Sequence, residues 1–178
     1  MEKVRKLLDS AIYWLIVFLP FSISISPAPM NVFMGLLIAS FLLKKILKRE
    51  QLFIKTAINI PLLLLFIVTC LSVFHSVNLS DTFKGGIFRL LQYIFIFFIL
   101  DEEVKNKSHV WKIVFSAAFG LMLSSIDSIW QVFSGKDFIR GYSPILNIGL
   151  VRATASFKDS NTLGIFLSAI APLIFGLT

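Results

Sequence analysis

The sequence predicts an all-α, multi-pass transmembrane helical bundle, and three observations carry that prediction. Apolar residues make up 57% of the chain and charged residues only 15%, against roughly 25% charged in an average soluble domain. Long stretches, Ser10 to Leu43 and Ala57 to Ser80, contain no charged residue. The basic residues gather in short clusters between the apolar runs, as they do in membrane proteins. A soluble chain of 178 residues could not cover this much apolar surface, so lipid is expected to solvate it. The net charge of +7 would suit a nucleic-acid binder, but no folded basic domain exists to carry it, and no nucleic-acid partner is expected. Cys70 stands alone in an apolar run, which excludes an internal disulfide and a thiolate metal site.

The elements follow from length. A crossing helix needs about 20 mostly apolar residues. Ser10 to Leu43 is too long for one span and is broken by Ser26-Pro27-Ala28-Pro29, which disfavours continued helix. It reads as a hairpin of spans near 10–26 and 30–47. A third span near 57–75 carries Pro61 in its first turn, where proline is tolerated. Leu90 to Leu100 and Ile113 to Ile126 are too short alone. To cross, the fourth span must extend over 82–100 and take in Arg89, and the fifth over 110–133 and take in Asp127. A sixth run, 161–178, ends without a polar flank. The expectation is one membrane domain over 1–178, with a loop at 134–160, forming the front half of a longer protein.

Orientation follows from the loops. Eleven Lys and Arg fall on the side of the N-terminus, from Lys3 through Lys44, Lys45 and Lys55 to Lys112. Four (Lys136, Arg140, Arg152 and Lys158) fall on the other side, all in the 134–160 loop. The N-terminus is therefore expected in the cytoplasm. The first run is expected to be a span rather than a cleaved leader, because a second apolar run follows at once and no clear small-residue cleavage site precedes it.

Soluble-enzyme motifs such as phosphate loops, His-Glu-x-x-His and Gly-x-Ser-x-Gly are absent from the sequence. His75 and His109 fall near span ends and read as interfacial residues. Ser124, Asp127, Ser128 and Gln131 share one helix face by their spacing, and a polar face inside a membrane turns toward protein or a water-filled cavity. Arg89, Gln92 and Tyr93 share another. At about 1.5 Å rise per residue, Arg89 and Asp127 lie roughly 10 Å and 9 Å below the outer surface. An Arg89–Asp127 ion pair is thus expected, either as a structural tie or with Arg89 turned to an outer cavity for an anion. The 134–160 loop interleaves its four cations with Ile145-Leu146 and Ile148-Gly149-Leu150-Val151. Such a pattern suits a lipid-linked anion such as a pyrophosphate, or simply anionic headgroups.

The stretch from Arg152 to Gly164, Arg-Ala-Thr-Ala-Ser-Phe-Lys-Asp-Ser-Asn-Thr-Leu-Gly, resembles a motif of the O-antigen ligase and O-antigen polymerase superfamily. That pattern is Arg-x-x-Gly-x-Phe-x-x-Pro-Asn before a membrane helix. Arg152, Phe157 and Asn161 match it; Ala155 stands where Gly is usual and Ser160 where Pro is usual. Leu19-Pro-Phe-Ser-Ile-Ser24, Ser72-Val-Phe-His-Ser76 and Lys84-Gly-Gly-Ile-Phe-Arg89 have the same family look. The resemblance implies a metal-free, cofactor-free glycosyltransferase of the bacterial inner membrane. Such an enzyme moves a glycan from undecaprenyl pyrophosphate to lipid A-core or another glycan on the periplasmic side, in lipopolysaccharide and cell-envelope biosynthesis. It implies donor-pyrophosphate binding by Arg152, with Arg89 and Asn161 as further candidates and Asp127 as a structural polar group. The family's catalytic histidine lies in its second half, so no catalytic residue is expected here, and neither His75 nor His109 takes that role. The rival readings are an O-antigen polymerase or O-linked oligosaccharyltransferase of the same superfamily, and a non-catalytic membrane subunit or small transporter. A transporter should carry internal repeats, and the sequence has none.

Overall fold

The computed structural model describes residues 2–49, 56–76, 78–147 and 149–177; Lys55 and Ile148 lie outside them. Among the described residues, seven α-helices follow one another: α1 (Glu2–Ile25), α2 (Pro27–Lys48), α3 (Asn59–Ser72), α4 (Leu79–Asp81), α5 (Arg89–Glu103), α6 (Lys107–Ser134) and α7 (Ser160–Leu177). A 3₁₀ turn, Val73–His75, prolongs α3, and a π-helical stretch, Thr82–Phe88, joins α4 to α5. An antiparallel hairpin, β1 (Ile145–Asn147) and β2 (Leu150–Arg152), pairs Ile145 with Arg152.

Among the described residues, four helices are long and apolar enough to cross a membrane: Glu2–Ile25, Pro27–Lys48, Leu79–Glu103 and Lys107–Ser134. Asn59–His75 and Ser160–Gly176 are apolar but shorter. The expected break at 26–29 is tighter than the sequence suggests. Only Ser26 separates the first two helices, because Pro27 and Pro29 fall in the first turn of α2, where a missing N–H costs nothing. Likewise the run beginning at Ala57 becomes α-helical only at Asn59.

The chain divides into two compact units, Met1–Ile12 with Leu36–Lys105, and Tyr13–Gly35 with Asn106–Thr178. In the first, Ile12, Leu37, Phe41, Phe98 and Ile99 are buried. Lys44 Nζ meets Asp9 Oδ1 at 2.6 Å and Glu103 Oε1 at 2.7 Å, and Lys45 Nζ meets Glu102 Oε1 at 2.6 Å. The start of α1 and the ends of α2 and α5 therefore lie together, in keeping with one side of a membrane for all three. The same unit leaves α3 with no buried residue, and Leu63, Leu64, Val68 and Leu71 are each more than half exposed.

In the second unit, α6 buries Val114, Ala117, Gly120, Ser124, Asp127 and Gln131, at steps of three and four that form one face. That face is apolar at first and polar toward the helix end. Gly120 lets α1 come close, since a Cβ there would stand 2.7 Å from Ser24 Oγ and 3.2 Å from Ser24 Cβ. Ala155, Phe157, Leu163 and Phe166 form an apolar cluster beneath the loop. His109, in the first turn of α6, is buried and its ring stacks on Tyr13 at 4.2 Å.

Candidate functional site

The end of α6 organises everything that follows it in the second unit. The helix stops at Gly135, which takes a left-handed φ of 78° and donates its N–H to Gln131 O at 2.9 Å, a termination glycine adopts without a Cβ penalty. The chain then folds back over the polar face. Phe138 N–H donates to Asp127 Oδ1 at 2.8 Å. Asp127 is fully buried, and among the described residues its Oδ2 has no hydrogen-bond partner, nor has the buried Ser124 Oγ. Inside its unit, then, the Asp127 carboxylate is held by a backbone amide rather than by a cation. Arg89, its expected partner, belongs to the other unit and is exposed.

The next turn is built on Asp137, which is 4% exposed. Its carboxylate accepts from Arg140 N–H at 2.5 Å and from Tyr142 N–H, while its own N–H donates to Tyr142 O at 2.9 Å. An aspartate bonded to amides two or more residues on closes a turn without help from the backbone ladder. The Arg140 guanidinium lies 4.6 Å over the Tyr142 ring and donates to Ser156 O at 3.4 Å.

The hairpin carries the motif arginine. Gly149, with φ 76°, sits in its turn, and Arg152 ends β2. Arg152 Nη2 donates to Asn161 Oδ1 at 2.9 Å; both residues are exposed. Two matched residues of the motif, nine apart in sequence, are thus joined. Guanidinium has five N–H donors, and this bond uses one. Asn161 lies in the first turn of α7, where Asp159 Oδ2 accepts from Thr162 N–H at 3.1 Å, an N-cap bond.

The two departures from the motif fall at informative places. Ala155 has φ 46°, the left-handed region that favours glycine. Ser160 is the first residue of α7, the position where proline is favoured. The backbone therefore has the shape that Gly and Pro would specify, although neither is present.

Between Arg152 and α7, Thr154, Ala155, Ser156 and Phe157 are all buried. Ser156 Oγ donates to Ser24 O at 2.5 Å. Asp137, Thr154 and Ser156 were not singled out from the sequence; a short polar run among small residues, Ala-Thr-Ala-Ser, was the available signal. Lys136 and Lys158 are exposed, as expected of loop cations. Ser128 is only partly buried and turns its Oγ to Ser124 O at 2.7 Å. His75 is exposed at the end of its 3₁₀ turn. Among the described residues no group of His, Cys, Asp and Glu could hold a metal ion. Comparison with models of known families, with curated proteins and with solved structures finds no match to this chain.

Proposed function

We propose that this chain is a multi-pass protein of the bacterial inner membrane and the N-terminal, donor-binding part of an O-antigen ligase-like glycosyltransferase. The enzyme moves a glycan from undecaprenyl pyrophosphate to an acceptor, such as lipid A-core or another glycan, on the periplasmic side. The observation that carries the reading is the Arg152–Asn161 hydrogen bond at the start of α7. It holds an exposed guanidinium beside a helix N-terminus, where oriented N–H groups favour an anion. A planar guanidinium matches two phosphate oxygens at once.

The chemistry fits this division of labour. A glycosyl pyrophosphate is already activated, so the reaction needs charge stabilisation on the departing pyrophosphate and a base for the acceptor hydroxyl. Arg152 supplies the first. The resemblance assigns the base to a histidine of the family's second half. Membrane insertion is supported by the four crossing-length helices and by the exposed apolar residues that α3 and α6 each carry within their own unit, more than a water-facing surface ordinarily shows.

Two measurements test the reading. Reporter fusions after Glu50 and after Lys136 should report opposite sides of the membrane, and the same side for both refutes the topology. In lipid nanodiscs the protein should bind undecaprenyl pyrophosphate in preference to undecaprenol. Equal binding of the two refutes the donor site.

A further inference from the structure

We propose that Gln131 is the positioning residue of this site. Its single buried amide ties both feet of the hairpin arm to α6 and so sets where the Arg152 guanidinium is presented. The inference rests on the donor-site reading for its functional consequence, though not for the clamp itself.

The geometry is unusual for one side chain. Gln131 is fully buried. Its Nε2 donates to Tyr142 O and to Thr154 Oγ1, both at 2.9 Å. Its Oε1 accepts from Thr154 N–H at 2.7 Å and from Ala155 N–H at 3.0 Å. Two donors and two acceptor positions exhaust what a carboxamide can do. The targets stand on opposite strands of the excursion that leaves α6 and returns to α7. Tyr142 precedes β1, while Thr154 and Ala155 follow β2. The backbone ladder ends at the Ile145–Arg152 pair, so below it the amide of Gln131 does the work a further ladder pair would have done.

Two features make the clamp exact rather than merely adhesive. Tyr142, one foot, is already ordered by the Asp137 turn. Ala155, the other, holds a left-handed φ that an alanine adopts only when its surroundings impose it, and its N–H is one of the four bonds. Arg152 lies two residues before Thr154, with little slack between clamp and guanidinium. The Arg140 bond to Ser156 O is longer and comes from an exposed side chain, so it supports the feet only weakly. A clamp, unlike a merely satisfied polar group, makes the arm's order and the ligand affinity depend on Gln131.

The test uses the full chain in nanodiscs, with Cys70→Ser removing the native thiol and Leu146→Cys carrying a nitroxide on the exposed face of β1. Gln131→Glu keeps the acceptor oxygens and removes both donated bonds. The nitroxide spectrum should be that of an immobilised label in the parent and a mobile one in Gln131→Glu. Affinity for undecaprenyl pyrophosphate should fall about tenfold, a change of about 1.4 kcal/mol. Combined with Arg152→Lys, Gln131→Glu should add no further loss, because both act through one contact. An unchanged spectrum, or losses that add in full, overturns the clamp. A mobilised label in a protein whose parent shows no preference for undecaprenyl pyrophosphate upholds the clamp and refutes the donor reading. Should Gln131→Glu fail to fold, Thr154→Val removes one bond while leaving the backbone amide, and is read the same way.

Discussion

Lys44→Met should destabilise the protein by about 3 kcal/mol, the lower end of what stripping one partner from a buried ion pair costs. The Lys44 side chain is 9% exposed and that of Glu103 17%. Without the ammonium, Glu103 stays in a largely dry position with its 2.7 Å partner gone. Asp9 is half exposed and can turn to water, which keeps the loss from being larger. The double change Lys44→Met with Glu103→Gln should recover much of the stability, because it removes the stranded charge. Thermal unfolding in detergent reads both. A single variant that melts with the wild type would show that water reaches the cluster freely. The neighbouring Lys45–Glu102 pair, at 2.6 Å, provides an internal comparison, since Lys45 also lies 5.4 Å from the Phe41 ring centroid and loses packing as well as charge when truncated.

Arg152→Lys should reduce glycan transfer by the complete enzyme at least tenfold, equivalent to about 1.4 kcal/mol of transition-state stabilisation, while its level in the membrane stays normal. Lysine preserves the positive charge and any general attraction to anionic headgroups. It loses the planar fork, and with it the means to bond Asn161 and two phosphate oxygens together. Because Arg152 and Asn161 are exposed, with Asn161 Oδ1 accepting at 2.9 Å, the swap should leave folding intact. Transfer assayed in isolated membranes, normalised to an immunoblot, measures the effect. Wild-type transfer by Arg152→Lys would make the arginine a loop anchor and nothing more.

Much of the second unit was legible in the pattern of residues. The spacing of Ser124, Asp127 and Gln131 put them on one face, and that face is buried. Pro27 and Pro29 marked the α1–α2 turn, to within the first turn of α2. What escaped was partnership. The spacing along α6 did not show that a loop returning over the helix end offers Asp127 the Phe138 amide at 2.8 Å. Lys44 and Lys45 read as loop cations because nothing local pairs them. Glu103 and Glu102 lie 59 and 57 residues further on, and Asp9, the second partner of Lys44, stands on the preceding helix. The burial of His109 was not legible because the stacking ring of Tyr13 is nearly a hundred residues away.

The sequence by itself determined the helical class, the apolar character of each run and the residues that face inward along α6. These depend on transfer free energies and on helical period, which are properties of a residue and its near neighbours. Only the tertiary structure decided that α1 and α2 each contribute to two compact units, that Gln131 grips Tyr142, Thr154 and Ala155, and that Arg152 reaches Asn161. A buried polar group must find its partner wherever the chain happens to return, and that choice belongs to the folded whole.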